Sequence, residues 1–329
     1  MKTAYLTGAT GCIGRNLVNE LQKDGWNIIV LHRKSSDLSK LDGCNVSFQE
    51  VDITDIDSVR KALSKPADVL FHLAANLSTY WGDADIQWKE NVLATRNLTT
   101  VAMERGIGRF IFTSTGATLG SQWMDENVVQ KINVGYIRTK RLAELEVYSA
   151  IKKGLDAVII QPIIVIGPYD YNHYKRIFDM MKVEGARFVL PGNIAFCHAV
   201  DVARAHISTF EKGRKGENYV LGGEFTSWLD CSQKICKAYG TSPPKRALSL
   251  WFLKGIAWGM HILSLVSKFK PDITPQLVNL LHDTCDVPYY HQEKARVDIG
   301  YHSRSLDEMI KDYIAWDNQE IEKTKTHPE

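Results

Sequence analysis

Cysteine is scarce in this chain and nowhere clustered: Cys12, Cys44, Cys197, Cys231, Cys236 and Cys285 are spread over 329 residues. No CxxC pair and no His–Cys group with zinc-ligand spacing occurs, so a disulfide scaffold and a metal site are both excluded. Buried, reduced thiols in a cytoplasmic protein are the expectation that remains. An excess of one charge is also missing. With 40 Lys+Arg against 38 Asp+Glu and no long basic run, nothing draws the chain to nucleic acid. The opening MKTAYLTGATG has no apolar region of the signal-peptide kind. There is no internal repeat and no low-complexity stretch. What is present is an ordinary globular composition, 44% hydrophobic and 24% charged, on a chain long enough for a large α/β domain with an appended lobe.

The first half alternates β-rich runs with helical spacing, the pattern of a parallel sheet covered by helices on both faces. Strands are expected at 4–7, 27–31, 46–51, 67–73, 109–114 and 156–162, with helices at 14–23, 55–64, 86–105 and 136–153. After Pro162 the pattern becomes irregular: Gly167-Pro168 breaks the chain, and 174–183 and 200–212 read as helices. Beyond about Gly216 the chain reads as mostly helical.

The apolar run Ala247–Val266 is nearly long enough to cross a bilayer, but Lys254, His261, Gly255 and Gly259 interrupt it. At helical spacing Lys254, His261, Ser264 and Lys268 form one narrow polar stripe. The favoured reading is a helix buried against the lobe with a thin wet face; a helix lying in a membrane interface is the alternative.

Thr7-Gly8-Ala9-Thr10-Gly11-Cys12-Ile13-Gly14 joins the first strand to the first helix, the setting a glycine-rich phosphate turn requires. Gly8 permits the tight exit from the strand, Gly11 lets a pyrophosphate approach the backbone, and Gly14 lets helix and strand come close. The helix N-terminus then offers unpaired N–H groups to phosphate.

The GxxGxxG spacing resembles the extended branch of the short-chain dehydrogenase/reductase superfamily. Further matches follow in order: Asp52-Ile53, His72-Leu73-Ala74-Ala75, Glu90-Asn91-Val92, the YxxxK of Tyr136 to Lys140, Pro162 with Gly167-Pro168, and His198 to Ala203. The resemblance implies a Rossmann-type doubly wound sheet with a smaller, mostly helical C-terminal substrate lobe. The dinucleotide domain would cover 1–165, with 198–215 returning to it, and the lobe would take 166–197 and 216–329. It further implies a cofactor surface built from Gly8, Thr10, Gly11, Cys12, Ile13, Gly14, His32, Arg33, Lys34, Asp52, Ile53, Leu73, Ala74, Ala75, Tyr136, Lys140, Pro162 and Ile164. The carboxyl-terminal stretch from Lys294 to Tyr301 is similar to the dihydroflavonol-reductase and 3β-hydroxysteroid-dehydrogenase side of the branch. Helices 86–105 and 136–153 would supply a homodimer contact by the same analogy.

Which dinucleotide is bound is read at the second strand's end. Leu31-His32-Arg33-Lys34 carries no acid to hold a ribose 2′-hydroxyl, whereas Arg33 can grip a 2′-phosphate, so NADP(H) is expected over NAD(H). Tyr136 and Lys140 share one helix face. A neighbouring ammonium and the nicotinamide's charge would lower the phenol's pKa, letting Tyr136 exchange a proton as hydride moves. The family pattern selects Thr115 as the hydroxyl that orients the substrate oxygen, with Ser114 one register away. Asn91 would complete the set through its backbone carbonyl. Two departures stand out: Thr139 replaces Ser before the lysine, and Gln161 stands where Arg is frequent, removing a charge near the nicotinamide or substrate mouth.

Substrate recognition is expected from 78–81, 119–124, 169–174 and 188–198, which are rich in aromatic and apolar residues. Only Arg176, Arg187 and Arg296 could serve a diphosphate. An apolar or aromatic carbonyl compound fits that inventory better than a nucleotide sugar. The expected activity is therefore NADP(H)-preferring carbonyl–alcohol interconversion. A nucleotide-sugar epimerase or dehydratase retaining NAD, and a non-catalytic dinucleotide sensor, are the rivals.

Overall fold

The computed structural model describes residues 1–119, 135–171, 174–184, 189–267, 271, 273–285 and 292–326. Seven strands form one parallel sheet: β1 (Thr3–Thr7), β2 (Asn27–His32), β3 (Ser47–Glu50), β4 (Val69–His72), β5 (Arg109–Thr113), β6 (Ala157–Pro162) and β9 (Asn218–Leu221). Their order is β3-β2-β1-β4-β5-β6-β9. The chain therefore reverses direction across the sheet between β1 and β4, where open α/β sheets bind their ligands. A second sheet, β10-β8-β7, joins β7 (Ile164–Ile166), β8 (Asn193–His198) and β10 (Glu224–Ser227).

The central strands are near-continuous apolar runs because both of their faces are covered. Leu6, Phe71, Ile111 and Ile160 face one layer, with α1 (Cys12–Lys23). Tyr5, Leu70, Phe110 and Ile159 face the other, over α2 (Ile56–Ala62). The second layer continues through α3 (Ala84–Trp88), a π-helical turn at Lys89–Leu93, and α4 (Ala94–Glu104). It is completed by α5 (Gly135–Lys152). The lobe has its own core, in which Phe178 of α6 (Lys175–Lys182) stacks on Tyr313 at 3.8 Å.

The six early strands and their helices lie where the sequence reading puts them. The carboxyl-terminal half differs. The chain returns to the sheet through α7 (Ala199–Lys212), as expected, but residues 218–221, assigned to the lobe, form the seventh strand. The lobe's α8 (Trp228–Tyr239), α9 (Leu250–Val266) and α10 (Pro275–Thr284) follow, and α11 (Gln292–Ile299) then packs back on β9 and α7. The last helix, α12 (Leu306–Thr326), contributes Tyr313 and Trp316 to the lobe core. A four-residue strand with no alternation carries too little pattern to be told from a loop.

The expectation of a buried α9 is also overturned. Only Leu253, Ala257 and Ser264 are buried, while Trp251, Ile262, Leu265 and Val266 stand 85%, 61%, 70% and 84% exposed. Among the described residues no helix is long and apolar enough to cross a membrane.

Candidate active site

The turn after β1 is built from backbone contacts that only glycine allows. Gly8 has φ +73°, and a Cβ there would lie 2.7 Å from the Ala74 amide nitrogen. A Cβ on Gly14 would lie 2.1 Å from the Gly8 carbonyl oxygen. That glycine thus lets α1 close against the turn itself rather than against a strand. At Gly11 a Cβ would meet only the Gly8 oxygen, at 3.4 Å, so the outer side of the turn is open. Gly11 caps α1 with no side-chain hydrogen bond, leaving the first-turn N–H groups for an anion. Thr10, Cys12 and Ile13 sit on this turn. The Cys12 thiol donates to the Pro168 carbonyl at 3.5 Å, and burial pushes its pKa well up.

Thr7 ties the turn to the end of β4. Its hydroxyl accepts the Leu73 and Ala74 amides at 3.1 and 3.2 Å and lies 2.8 Å from His72 Nδ1. His72 Nε2 is 3.1 Å from the Thr95 hydroxyl, which donates to the Asn91 carbonyl at 2.6 Å. Since Thr95 spends its proton on that carbonyl, His72 donates from Nε2 and accepts the Thr7 proton at Nδ1. Burial, with Lys140 nearby, holds this imidazole neutral by lowering its pKa to about 3. Leu73, Ala74 and Ala75 are thereby fixed beside Gly8. Leu73, Ala74, Ala75 and Asn91 were expected at the site from the sequence, whereas the Thr95 hydroxyl that joins His72 to the Asn91 carbonyl was not.

Asn91 occupies the π-helical turn and is buried. Its side chain accepts the Asn76 amide at 2.7 Å and donates to the Asn76 carbonyl and to Thr139 Oγ1, both at 3.0 Å. It therefore clasps the segment after β4 to the first turn of α5. The Asn91 backbone carbonyl accepts the Thr95 hydroxyl at 2.6 Å.

Tyr136, Lys140 and Thr115 come together beneath the ends of β5 and β6. Lys140 is buried, donates to the Thr113 carbonyl at 2.7 Å, and lies 4.2 Å from the Phe112 ring centroid. Burial lowers its pKa to about 7, opposed by Glu144. Burial pushes the half-buried Tyr136 up to about 12, while a hydrogen bond from Thr115 opposes the rise. The Lys140 amine is turned to a carbonyl and a ring face, and desolvation is the largest cause of the phenol's rise. Thr115, rather than Ser114, meets the phenol; Ser114 Oγ is buried without a partner.

Behind the pair lies a carboxylate that sequence reading missed. Glu144, fully buried, accepts Thr118 at 2.8 Å, Gln161 at 2.9 Å and Arg141 at 2.7 Å. Gln161 also accepts Asn218 of β9 at 2.7 Å. Gln161 therefore points into this interior network and not towards a substrate mouth. Pro162 ends β6 and Ile164 begins β7, at the same strand ends.

At the far end, Arg33 is exposed and paired with Glu90 at 3.1 Å. Glu90 also accepts Asn76 at 2.8 Å, so it links the exits of β2 and β4. His32 packs edge-on against Phe48, and Lys34 is exposed. Asp52 accepts the amide and hydroxyl of Thr54 at 2.9 and 2.7 Å, and the Ile53 carbonyl accepts Asn97 at 3.1 Å.

On the substrate side, 120–124, 172–173, 188 and Arg187 lie outside the described residues. Tyr169 and Tyr171 pack on Trp316, and Tyr174 stacks on Trp228 at 6.0 Å while also neighbouring Tyr136. Arg296 pairs with Glu293 on the surface, and Arg176 is exposed. A cavity of about 350 Å³ is lined by Trp81, Lys254, Trp258, Pro275, Val278 and Asn279. From the α10 segment that helps line it, Leu280 packs, as Tyr136 does, on the buried Ile137, and Gln276 accepts the Gly135 amide at 3.2 Å.

Comparison with known proteins places this geometry among relatives. The profile of the NAD dependent epimerase/dehydratase family matches residues 4–222. Sterol demethylase protein B of Methylococcus capsulatus is 29% identical over 327 residues, covering 95% of this chain and 98% of that protein. A 4-hydroxy-2-methyl-3-oxo-4-farnesyl-3,4-dihydroquinoline-1-oxide ketoreductase of Stigmatella aurantiaca is 26% identical, covering 93% and 95%. The crystal structure of gox2253 superposes with a TM-score of 0.81 at 28% identity, covering 97% of this chain and 99% of that one.

Proposed function

This chain belongs to the NAD dependent epimerase/dehydratase family, and we propose that within it the protein is an NADP(H)-preferring reductase of a small apolar or aromatic carbonyl compound. It is an NAD(P)-dependent oxidoreductase of the extended short-chain type; the preference and the substrate class are our reading. The observation that carries the reading is the meeting of Thr115, Tyr136 and Lys140 beside the Gly8–Gly14 turn.

The residues fit a dinucleotide. The open Gly11 side and the uncapped α1 terminus would hold the pyrophosphate, Asp52 and Ile53 the adenine, and Lys140 the nicotinamide ribose. When bound, the cofactor supplies or accepts hydride at the carbonyl carbon. Thr115 and Tyr136 present two hydroxyls to the carbonyl oxygen. A phenol near 12 is protonated at neutral pH, the form that gives its proton to the oxygen as the alcohol forms. Lys140, at about 7, holds its donors against Thr113 and can add positive charge beside the phenol.

Arg33 supports NADP(H), since it is exposed and a 2′-phosphate, with its greater charge, offers it a stronger partner than the single Glu90 carboxylate. The names of the two relatives, a sterol demethylase protein and a farnesyl-dihydroquinoline-oxide ketoreductase, support an apolar substrate. The exposed positions of Arg176 and Arg296, the latter paired with Glu293, weigh against a diphosphate clamp. A fluorescence titration of both dinucleotides, followed by a carbonyl and alcohol panel with the tighter one, tests the reading. NADPH binding more tightly than NADH, with turnover of an apolar carbonyl, is expected. Tighter NADH binding, or NAD copurifying and epimerising a nucleotide sugar, contradicts it.

A further inference from the structure

We propose that α9 is a membrane-interface helix, whose outer arc lies lengthwise in the headgroup region of an anionic bilayer. Every exposed residue of Leu250–Val266 is apolar or glycine: Trp251, Phe252, Gly255, Trp258, Gly259, Ile262, Leu263, Leu265 and Val266. On a helical projection these fill one continuous arc of roughly 160°. The polar positions lie on the other side: Ser264 is buried, and Lys254 and His261 are half-buried, flanking the docked face. This is the reverse of a helix that buries its apolar face in its own protein.

Isolated exposed apolar side chains need no explanation, but seven large ones on a single helix do. The occupant is indicated by charge. From Lys245 to Pro271 the sequence carries five basic residues and no Asp or Glu. Lys245 and Arg246 are exposed immediately before the helix, and the Lys254 ammonium sits 5.8 Å from the Trp251 ring centroid. Apolar bulk, tryptophan and adjacent cations without carboxylates suit an acyl–headgroup boundary bearing negative charge. Among the described residues α9 is not long enough to span. Trp258 belongs both to the exposed arc and to the cavity wall, so docking would set that cavity at the lipid boundary.

The test is co-flotation of the full chain with phosphatidylglycerol–phosphatidylcholine vesicles, alongside the double variant Trp251→Ser, Leu265→Ser. Both positions are mostly exposed and outside the cavity lining, so the variant should keep its melting temperature and its turnover of a water-soluble carbonyl. Wild type is expected to float with the vesicles, with affinity falling as salt is raised. The variant should bind more than about tenfold more weakly. Failure of wild type to float, or equal flotation of the variant, overturns the proposal. So does a wild-type dimer, seen by light scattering without lipid, that the variant dissociates, because the arc would then cover a second copy. The flotation, melting and light-scattering readouts do not depend on the substrate proposed above.

Discussion

At the scale of single residues, two cations have clear physical signatures. Lys140 is a buried ammonium whose pKa falls from 10.5 to about 7. Between those values the unfolded chain binds the proton and the folded chain does not, so folding stability gains as pH rises through that window. Below about 7 both states are protonated and the full burial penalty remains. Replacing Lys140 with Met should therefore flatten the pH dependence of urea-unfolding stability between pH 7 and 9, by up to about 1.4 kcal/mol per pH unit. Parallel profiles for variant and wild type would place the charge elsewhere. Arg33 acts on selectivity instead. Arg33→Ala is expected to raise the NADPH dissociation constant by about tenfold or more, the worth of a charge-assisted contact, and to leave NADH unchanged. Isothermal titration with both nucleotides reads this directly.

At the scale of elements, the β1–α1 turn is decided by backbone proximity. Gly14→Ala would drive a methyl into the Gly8 carbonyl, which no side-chain motion can relieve. The helix must shift off the turn, and dinucleotide binding should weaken by at least about tenfold, in line with a ~1.4 kcal/mol or larger distortion. Unchanged affinity in the same titration would show that the anion site lies elsewhere. This turn was legible in the sequence because its three glycines keep a fixed spacing between a strand and a helix, although the close neighbour of Gly8 is Ala74, far along the chain. The YxxxK pair was legible for the same reason, being fixed by helical spacing. Three other features were not. The Thr7–His72–Thr95 chain and the Glu144–Gln161–Asn218 network join residues far apart in sequence, and nothing in their spacing marks them. Periodicity found the polar stripe on α9 but could not say which side of the helix docks; Ser264 is buried while Lys254 and His261 are half-buried beside the docked face.

At the scale of the whole molecule, the chain passes repeatedly between sheet and lobe, so the site is assembled from both. The Pro168 carbonyl accepts Asn16 of α1 at 2.9 Å, which brings the lobe's first loop onto the phosphate turn. Arg304 joins the two units more firmly, bonding both Asp201 oxygens at 2.7 and 3.1 Å and Asp312 at 2.6 Å. Removing it strands a largely buried carboxylate at the start of α7. Arg304→Ala should cost about 2–3 kcal/mol in urea unfolding; a loss under about 0.5 kcal/mol would show that this pair is surface decoration.

The central claim is that hydride crosses from a bound dinucleotide to a carbonyl carbon while Tyr136 delivers the proton. Mass spectrometry of the alcohol made from NADPH deuterated at the nicotinamide C4 tests it most directly. One deuterium per product molecule is expected with wild type, and Tyr136→Phe should form that product at least about 10²-fold more slowly while still binding the cofactor. Product without deuterium, or labelled product formed by the phenylalanine variant at the wild-type rate, would contradict the account.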